Sequence, residues 1–174
     1  MRLSKLRSAL VLTWLLLVPS LAYAQSSALS FVHEGVIDAP SEAVWNVWAT
    51  ADGYRRLGPA LADIDLRVGG LIRSKYQNTG TLADADAIYN RILAFEPGRM
   101  IAFAIDRPPV GFPFKDAWKH TWTVVTLTPI NSTQTHLRIA SLGFGNDEEA
   151  LKMRQFFEGG NAATLKLLQD SFKK

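Results

Sequence analysis

Beyond residue 30 the apolar positions change period along the chain. In "FVHEGVID", Phe31, His33, Gly35 and Ile37 fall on one side and Val32, Glu34, Val36 and Asp38 on the other. That is an extended segment whose inward side the imperfect alternation leaves open. From Pro40 to about Thr50 the spacing turns helical: Val44, Val47, Trp48 and Ala51 recur on one face, and Trp45 widens the stripe. Pro40 suits the first turn of a helix, and Glu42 is favoured near its positive end. "TADGYRRLGP" predicts a second short helical piece, closed by Gly58-Pro59.

Short extended runs follow. "LADIDLRV" and "GLIRSKYQ" flank Gly69-Gly70 and predict a hairpin. "AIYNRILAFEPGRMIAFAID" divides at Glu96-Pro97-Gly98-Arg99, a turn between paired strands. "RPPVGFPFKD" reads as a loop, because prolines withhold ladder donors. Its Val110, Phe112 and Phe114 make it the best lid candidate, though they could equally wrap the apolar layer. "AWKHTWTVVTLTP" and "TQTHLRIASLGF" predict the last two strands.

The closing segment carries a long amphipathic helix. Met153, Phe157, Gly160, Thr164, Leu167 and Leu168 trace its stripe, broadened by Phe156 and Leu165. Asn146 and Glu149 have the spacing of a reciprocal cap. Roughly two dozen residues give a rod of about 36 Å. Gly159-Gly160 in its middle costs about 1 kcal/mol of helix propensity per glycine. Close approach to the sheet, a mild kink, or space left open beside the helix would each account for the pair. The order of elements is strand, short helices, further strands, long helix. Helices gathered against one antiparallel sheet are a two-layer solution for an α+β domain.

Five stretches in this order resemble one superfamily: "IDAPSEAVWNVWATADGY", "RVGGLI", "ILAFEPGRMIAF", the "WTVVTLTP" to "THLRIA" hairpin, and the terminal helix. The chain resembles the SRPBCC (START-like, birch-pollen-allergen-like) superfamily over residues 30–172. Within it, it is most similar to homologues of a heat-shock-chaperone ATPase activator and to the polyketide cyclase/dehydrase and lipid-transport group. The resemblance implies a helix-grip fold: a curved antiparallel sheet of six or seven strands wrapped on a long C-terminal helix, with two short helices after the first strand. It also implies a central hydrophobic cavity. Trp45 and Trp48 then read as anchors of the short helices, one of them reaching the cavity rim. Activity does not follow, since fold and chemistry are separable.

Composition redraws the ends of the chain. "MRLSKLR", the apolar "SALVLTWLLLV" and the small residues Ala22 and Ala24 read as a secretory signal over residues 1–24, leaving a single domain over 25–174. The formal charge of +3 resides in that leader, in Arg2, Lys5 and Arg7, so the remainder is neutral. A neutral product carries no overall footprint for nucleic acid. With no cysteine, packing has to hold the domain together. The expected address is the periplasm or the exterior, with no stable membrane insertion after cleavage. A cytosolic chaperone partner conflicts with that address, so chaperone activation is not carried over from the resemblance.

Candidate chemistry is sparse. If "FKDAWKHTW" is extended, Trp118, His120 and Trp122 share a face with Asp116. His120 is then the first acid/base candidate of a cyclase- or dehydratase-like enzyme, with Asp116, Tyr89 or Arg91 as partner. An inward Arg91 would need an acid or an anionic ligand. His33 and His136 read as surface residues. Asp63, Asp65, Asp84 and Asp86 read as solvated acids rather than cation ligands, and no metal or cofactor is expected. The expected function is an exported binding protein for a hydrophobic or amphipathic small molecule. Its contact set is Trp48, Tyr76, Tyr89, Arg91 and Phe112, followed by Phe114, Trp118, His120, Trp122 and Phe157. An enzyme and a protein-interaction module are the alternatives.

Overall fold

A computed structural model describes residues 30–173; the expected signal segment lies outside the described residues. The chain runs β1 (Ser30–Ile37), α1 (Ser41–Ala49), α2 (Ala51–Tyr54), a 3₁₀ turn (Arg55–Leu57), β2 (Leu61–Ile64) and β3 (Leu71–Lys75). It continues with β4 (Ile88–Glu96), β5 (Met100–Arg107), a second 3₁₀ turn (Ala117–His120), β6 (Trp122–Asn131), β7 (Gln134–Leu142) and α3 (Glu148–Phe172). The strands form one antiparallel sheet in the order β1-β7-β6-β5-β4-β3-β2. This is the expected α+β helix-grip architecture, a curved seven-stranded sheet holding a long terminal helix. Part of the curvature is local: β4 slips register against β5 between Tyr89 and Asn90 and again between Ile92 and Ala94, and such bulges bend a strand.

Two turns show why glycine and proline stand where they do. At Glu96–Arg99 the Arg99 amide donates to the Glu96 carbonyl over 3.0 Å, and Gly98 has φ 73°. Proline ahead of a positive-φ glycine is the composition a type II turn requires. At the β2–β3 hairpin a Cβ on Gly70 would lie 2.0 Å from the Asp65 carbonyl oxygen. Here the glycines also dock the turn on β4, for the Gly69 amide donates to Ile92 O and the Ile92 amide to Gly70 O.

The inner face of β1 is the Phe31, His33, Gly35 and Ile37 side, since Phe31 and Ile37 are buried while Val32 and Val36 are exposed. His33 is therefore not a surface residue. Its ring lies 5.7 Å from that of Phe31, and its Nε2 is sealed from solvent. His136 does lie on the outer face, with Nε2 4.0 Å from Glu34.

Inward side chains gather into two clusters. The larger joins Ile37, Ile72, Ile92, Ile101 and Leu137 of the sheet to Val44, Val47 and Trp48 of α1 and Leu168 of α3. The smaller joins Phe31, Phe144 and Met153, with Phe114, Trp118 and Phe157 against them.

The long helix begins one residue later than the sequence suggests. Asp147 caps it, its Oδ1 accepting from the Ala150 amide over 2.9 Å. Glu149 is not the reciprocal partner of Asn146; its Oε1 accepts from the Lys115 amide in the proline-rich loop. Close approach of helix and sheet occurs at Gly35, where a Cβ would sit 2.8 Å from Gln169 Nε2. At Gly159 and Gly160 a Cβ would meet nothing within 4 Å, and the helix runs through both. Close packing is thus not what the glycine pair provides. The four aspartates are not merely solvated either. Asp63 pairs with Arg73, Asp65 with Arg67, and Asp84 and Asp86 both hold the buried Lys75, at 2.6 and 2.9 Å.

Candidate functional site

Between the two clusters the sheet and α3 part, leaving a cavity of about 360 Å³. Cross-strand register explains where it opens. Inward positions on four strands turn from aliphatic to polar at the same end of the sheet: Ile72 to Ser74, Ile92 to Asn90, Val125 to Thr123 and Ile139 to Ser141. Aliphatic ends interlock as core, and the polar ends face the void. Phe103 of β5, the register partner of Thr123, supplies the floor between them. On the opposite wall α3 contributes Phe157, Gly160, Asn161 and Thr164. Gly160 is thus the place where a missing side chain leaves room for the cavity. Tyr76, Trp122 and Phe156 line it and are also exposed, so they form its rim.

Trp48 bounds one end. Its ring stacks on Phe103 with centroids 6.3 Å apart and meets Tyr54 edge-on at 6.4 Å. The indole Nε1 is sealed and without a hydrogen-bond partner, so Trp48 offers the cavity ring surface rather than its donor. Polar groups form two stations. On one side Asn161 Nδ2 donates to Ser141 Oγ over 2.9 Å, and that oxygen shares a proton with Thr123 Oγ1 at 3.3 Å. On the other, Asn90 stands beside the Tyr54 hydroxyl. Burial pushes that phenol well above its ordinary value, the neighbouring Tyr76 adds to this, and Asn90 partly offsets it. Tyr54 stays protonated and can donate. Among the described residues that line the cavity, none is Asp, Glu, Lys, Arg or His. Among the described residues no three His, Cys, Asp or Glu side chains are placed to hold a metal ion.

The ten expected contact residues divide evenly. Trp48, Tyr76, Phe112, Trp122 and Phe157 line the cavity. Phe114 stands behind the rim, its ring 5.4 Å from Phe112 and 5.7 Å from Phe156. Trp118 packs into the smaller cluster and donates from Nε1 to Lys115 O. His120 is exposed, because residues 117–120 coil into a 3₁₀ turn and β6 starts only at Trp122. The shared face of Asp116, Trp118, His120 and Trp122 therefore does not exist. Asp116 instead pairs with Lys119 at 2.5 Å, which draws its carboxyl down.

Tyr89 and Arg91 occupy the outer face of β4. The Tyr89 hydroxyl donates to Leu82 O, and the Arg107 guanidinium lies 3.7 Å over its ring. Arg91 donates to Asp106 and to Gly69 O, so its charge already has its acid. Ser74, Asn90, Thr123, Ser141 and Asn161 were not among the expected contacts. On the four strands their signal is a polar residue continuing an aliphatic parity.

The proline-rich loop closes over α3 near the rim. Phe112 reaches both Phe156 and Phe157, at 6.3 and 6.2 Å between ring centroids. The Lys115–Glu149 bond ties the loop to the first turn of the helix, and the Val110 amide donates to Ala85 O.

Residues 38–173 match the family model described as Activator of Hsp90 ATPase homolog 1-like protein. The chain belongs to that family. No curated protein matches it in sequence. Among solved structures, a Mesorhizobium loti protein (MLL2253) is 19% identical with a TM-score of 0.62, covering 81% of this chain and 94% of its own. The Aha1 dimer of Colwellia psychrerythraea is 17% identical with a TM-score of 0.58, covering 83% and 96%. An HSP90 activator of Plasmodium falciparum is 17% identical with a TM-score of 0.57, covering 79% and 91%. At such identities these structures establish the fold. For an Hsp90-activator-homologue domain, the fold is consistent with ligand binding or with an activator-like role.

Proposed function

We propose that this Hsp90-activator-homologue domain is an exported binding protein that takes a small hydrophobic or amphipathic molecule into the cavity between its sheet and α3. The observation that carries the reading is the cavity itself, about 360 Å³, walled by aromatic and aliphatic side chains with a few neutral polar groups. Ligand sites are commonly concave, largely apolar, and oriented by a small number of polar contacts. Binding draws mainly on apolar burial, near 25 cal/mol per Å² before ordering costs are subtracted.

The enzyme alternative has less support, because its nominated acid/base group, His120 with Asp116, Tyr89 or Arg91, lies off the cavity. Export rests on the leader pattern of residues 1–24. Native mass spectrometry of the protein purified from its own cells tests the binding reading. A retained small molecule supports it and gives the molecule's class. A cavity that retains nothing, and that admits no apolar probe at saturating concentration, would end it. Amino-terminal sequencing of the same sample tests export, with Gln25 the expected first residue.

A further inference from the structure

We propose that the cavity selects an uncharged ring compound bearing oxygen functions, and rejects carboxylates and phosphates. This rests on the ligand-binding reading above and adds the ligand's chemical class. Charge is the first discriminator. Among the described residues no cationic side chain lines the cavity, and three basic residues of the neighbouring strands are paired elsewhere. Arg73 holds Asp63, Lys75 holds Asp84 and Asp86, and Arg91 holds Asp106. An anionic head group inside would be stripped of water and left without a counter-charge, a transfer that strongly disfavours the ion.

At about 360 Å³ the cavity falls in the range of small-molecule sites, with room for a ring system.

Shape and polarity agree. The stacked Trp48–Phe103 pair offers flat ring surface, as does Phe157 across the void, and aromatic faces pack best on other rings. The two polar stations flank β5, one beginning on β4 and the other on β6. Two strand spacings, with the two-residue offset between Asn90 and Thr123, put them about 12 Å apart along the sheet, close to the span of a substituted ring compound hydrogen-bonded at both ends. Ser74 is 3% exposed and has no side-chain hydrogen bond among the described residues. On the other side Asn161 spends Nδ2 on Ser141, which leaves its Oδ1 to accept from a ligand hydroxyl.

Calorimetric titration of the purified protein at pH 7 with 2-naphthol, naphthalene, 2-naphthoate and palmitate tests the assignment. The naphthol is expected to bind about tenfold tighter than naphthalene, the worth of one good hydrogen bond. It should also bind more than about a hundredfold tighter than the carboxylate, which must lose its water unpaired. Asn161→Leu should bring 2-naphthol towards the affinity of naphthalene; retained naphthalene binding shows that this variant is folded. Equal or tighter binding of 2-naphthoate or palmitate overturns the proposal while leaving a ligand-binding protein. Failure of all four probes overturns the binding reading as well.

Discussion

Gly159 and Gly160 are neighbours in α3, and a Cβ on either meets open space, yet only Gly160 lines the cavity. Substitution should therefore separate two roles that the sequence merges. Gly159→Ala should stabilise the domain by about 1 kcal/mol, the helix-propensity gain, seen as a rise of about 2–4 °C in thermal midpoint. Affinity for a cavity probe should not change. Gly160→Leu should weaken the same probe by more than about tenfold, because its side chain occupies space a ligand would fill. Equal effects of the two on binding would contradict the assignment of Gly160 to the cavity wall.

Lys75 carries the other prediction at this scale. Its bond to Asp84, aided by the Thr81 amide and hydroxyl, brings that carboxyl down to about 2 from its ordinary 3.8. A carboxyl lowered on folding contributes stability that is present above its unfolded value and lost as pH falls through the folded one. The wild type should lose stability between about pH 4 and pH 2 through this pair. Lys75, raised chiefly by its bonds to Asp84 and Asp86, gives the mirror case. Its contribution is complete below its ordinary 10.5 and lost as pH rises through the folded value. Lys75→Met should flatten both limbs in urea denaturation across pH, and persistence of the acid limb would exclude the pair as its source. The pairing itself was not legible in the sequence, since Lys75 and Asp84 are separated by a loop whose path the residues do not specify. The inward polar residues were partly legible. Asn90 shares parity with Ile88 and Ile92, but parity does not say which face holds a void.

At the scale of elements, the strands, the two short helices and the long helix follow from residue periodicity, and the hairpin glycines mark the turns. The segment before β6 shows the limit. Trp118, His120 and Trp122 alternate perfectly on paper, but the Asp116 carbonyl accepts from Lys119 N and the Trp118 carbonyl from Thr121 N. Two local bonds wind the chain into a 3₁₀ turn, and four residues are too few for periodicity to distinguish turn from strand. The loop before it was legible as a cover, and its fastening was not. Its spacing from Asn146 suggests a helix cap for Glu149; with Asp147 already capping, Glu149 is available to the Lys115 amide. Glu149→Ala should therefore release the loop and leave the helix start intact. Hydrogen exchange should speed up about tenfold, the loss of one net hydrogen bond, at the amides of 110–116, while those of 150–154 are unchanged. Faster exchange across the first turn of α3 would show that Glu149 serves the cap after all.

For the molecule as a whole, the order of elements made the helix-grip architecture readable, because few topologies bury one long helix and two short ones on a single antiparallel sheet. The gap between the two hydrophobic clusters was expected from the resemblance. Periodicity could not locate it, since a strand facing a void and a strand facing a core carry the same alternation. A cavity whose aromatic walls lack partner atoms forfeits dispersion contacts that a guest restores, so occupancy and stability are coupled. A guest at about a hundred times its dissociation constant adds about 2.7 kcal/mol to the native state, which for a domain of this length raises the thermal midpoint by about 5–10 °C. Scanning calorimetry with 2-naphthol should give a rise of that size in the wild type. Gly160→Leu should start from a higher midpoint, its side chain restoring some of the missing contacts, and should gain little from the probe. An equal rise in both proteins would place the probe somewhere other than between the sheet and α3.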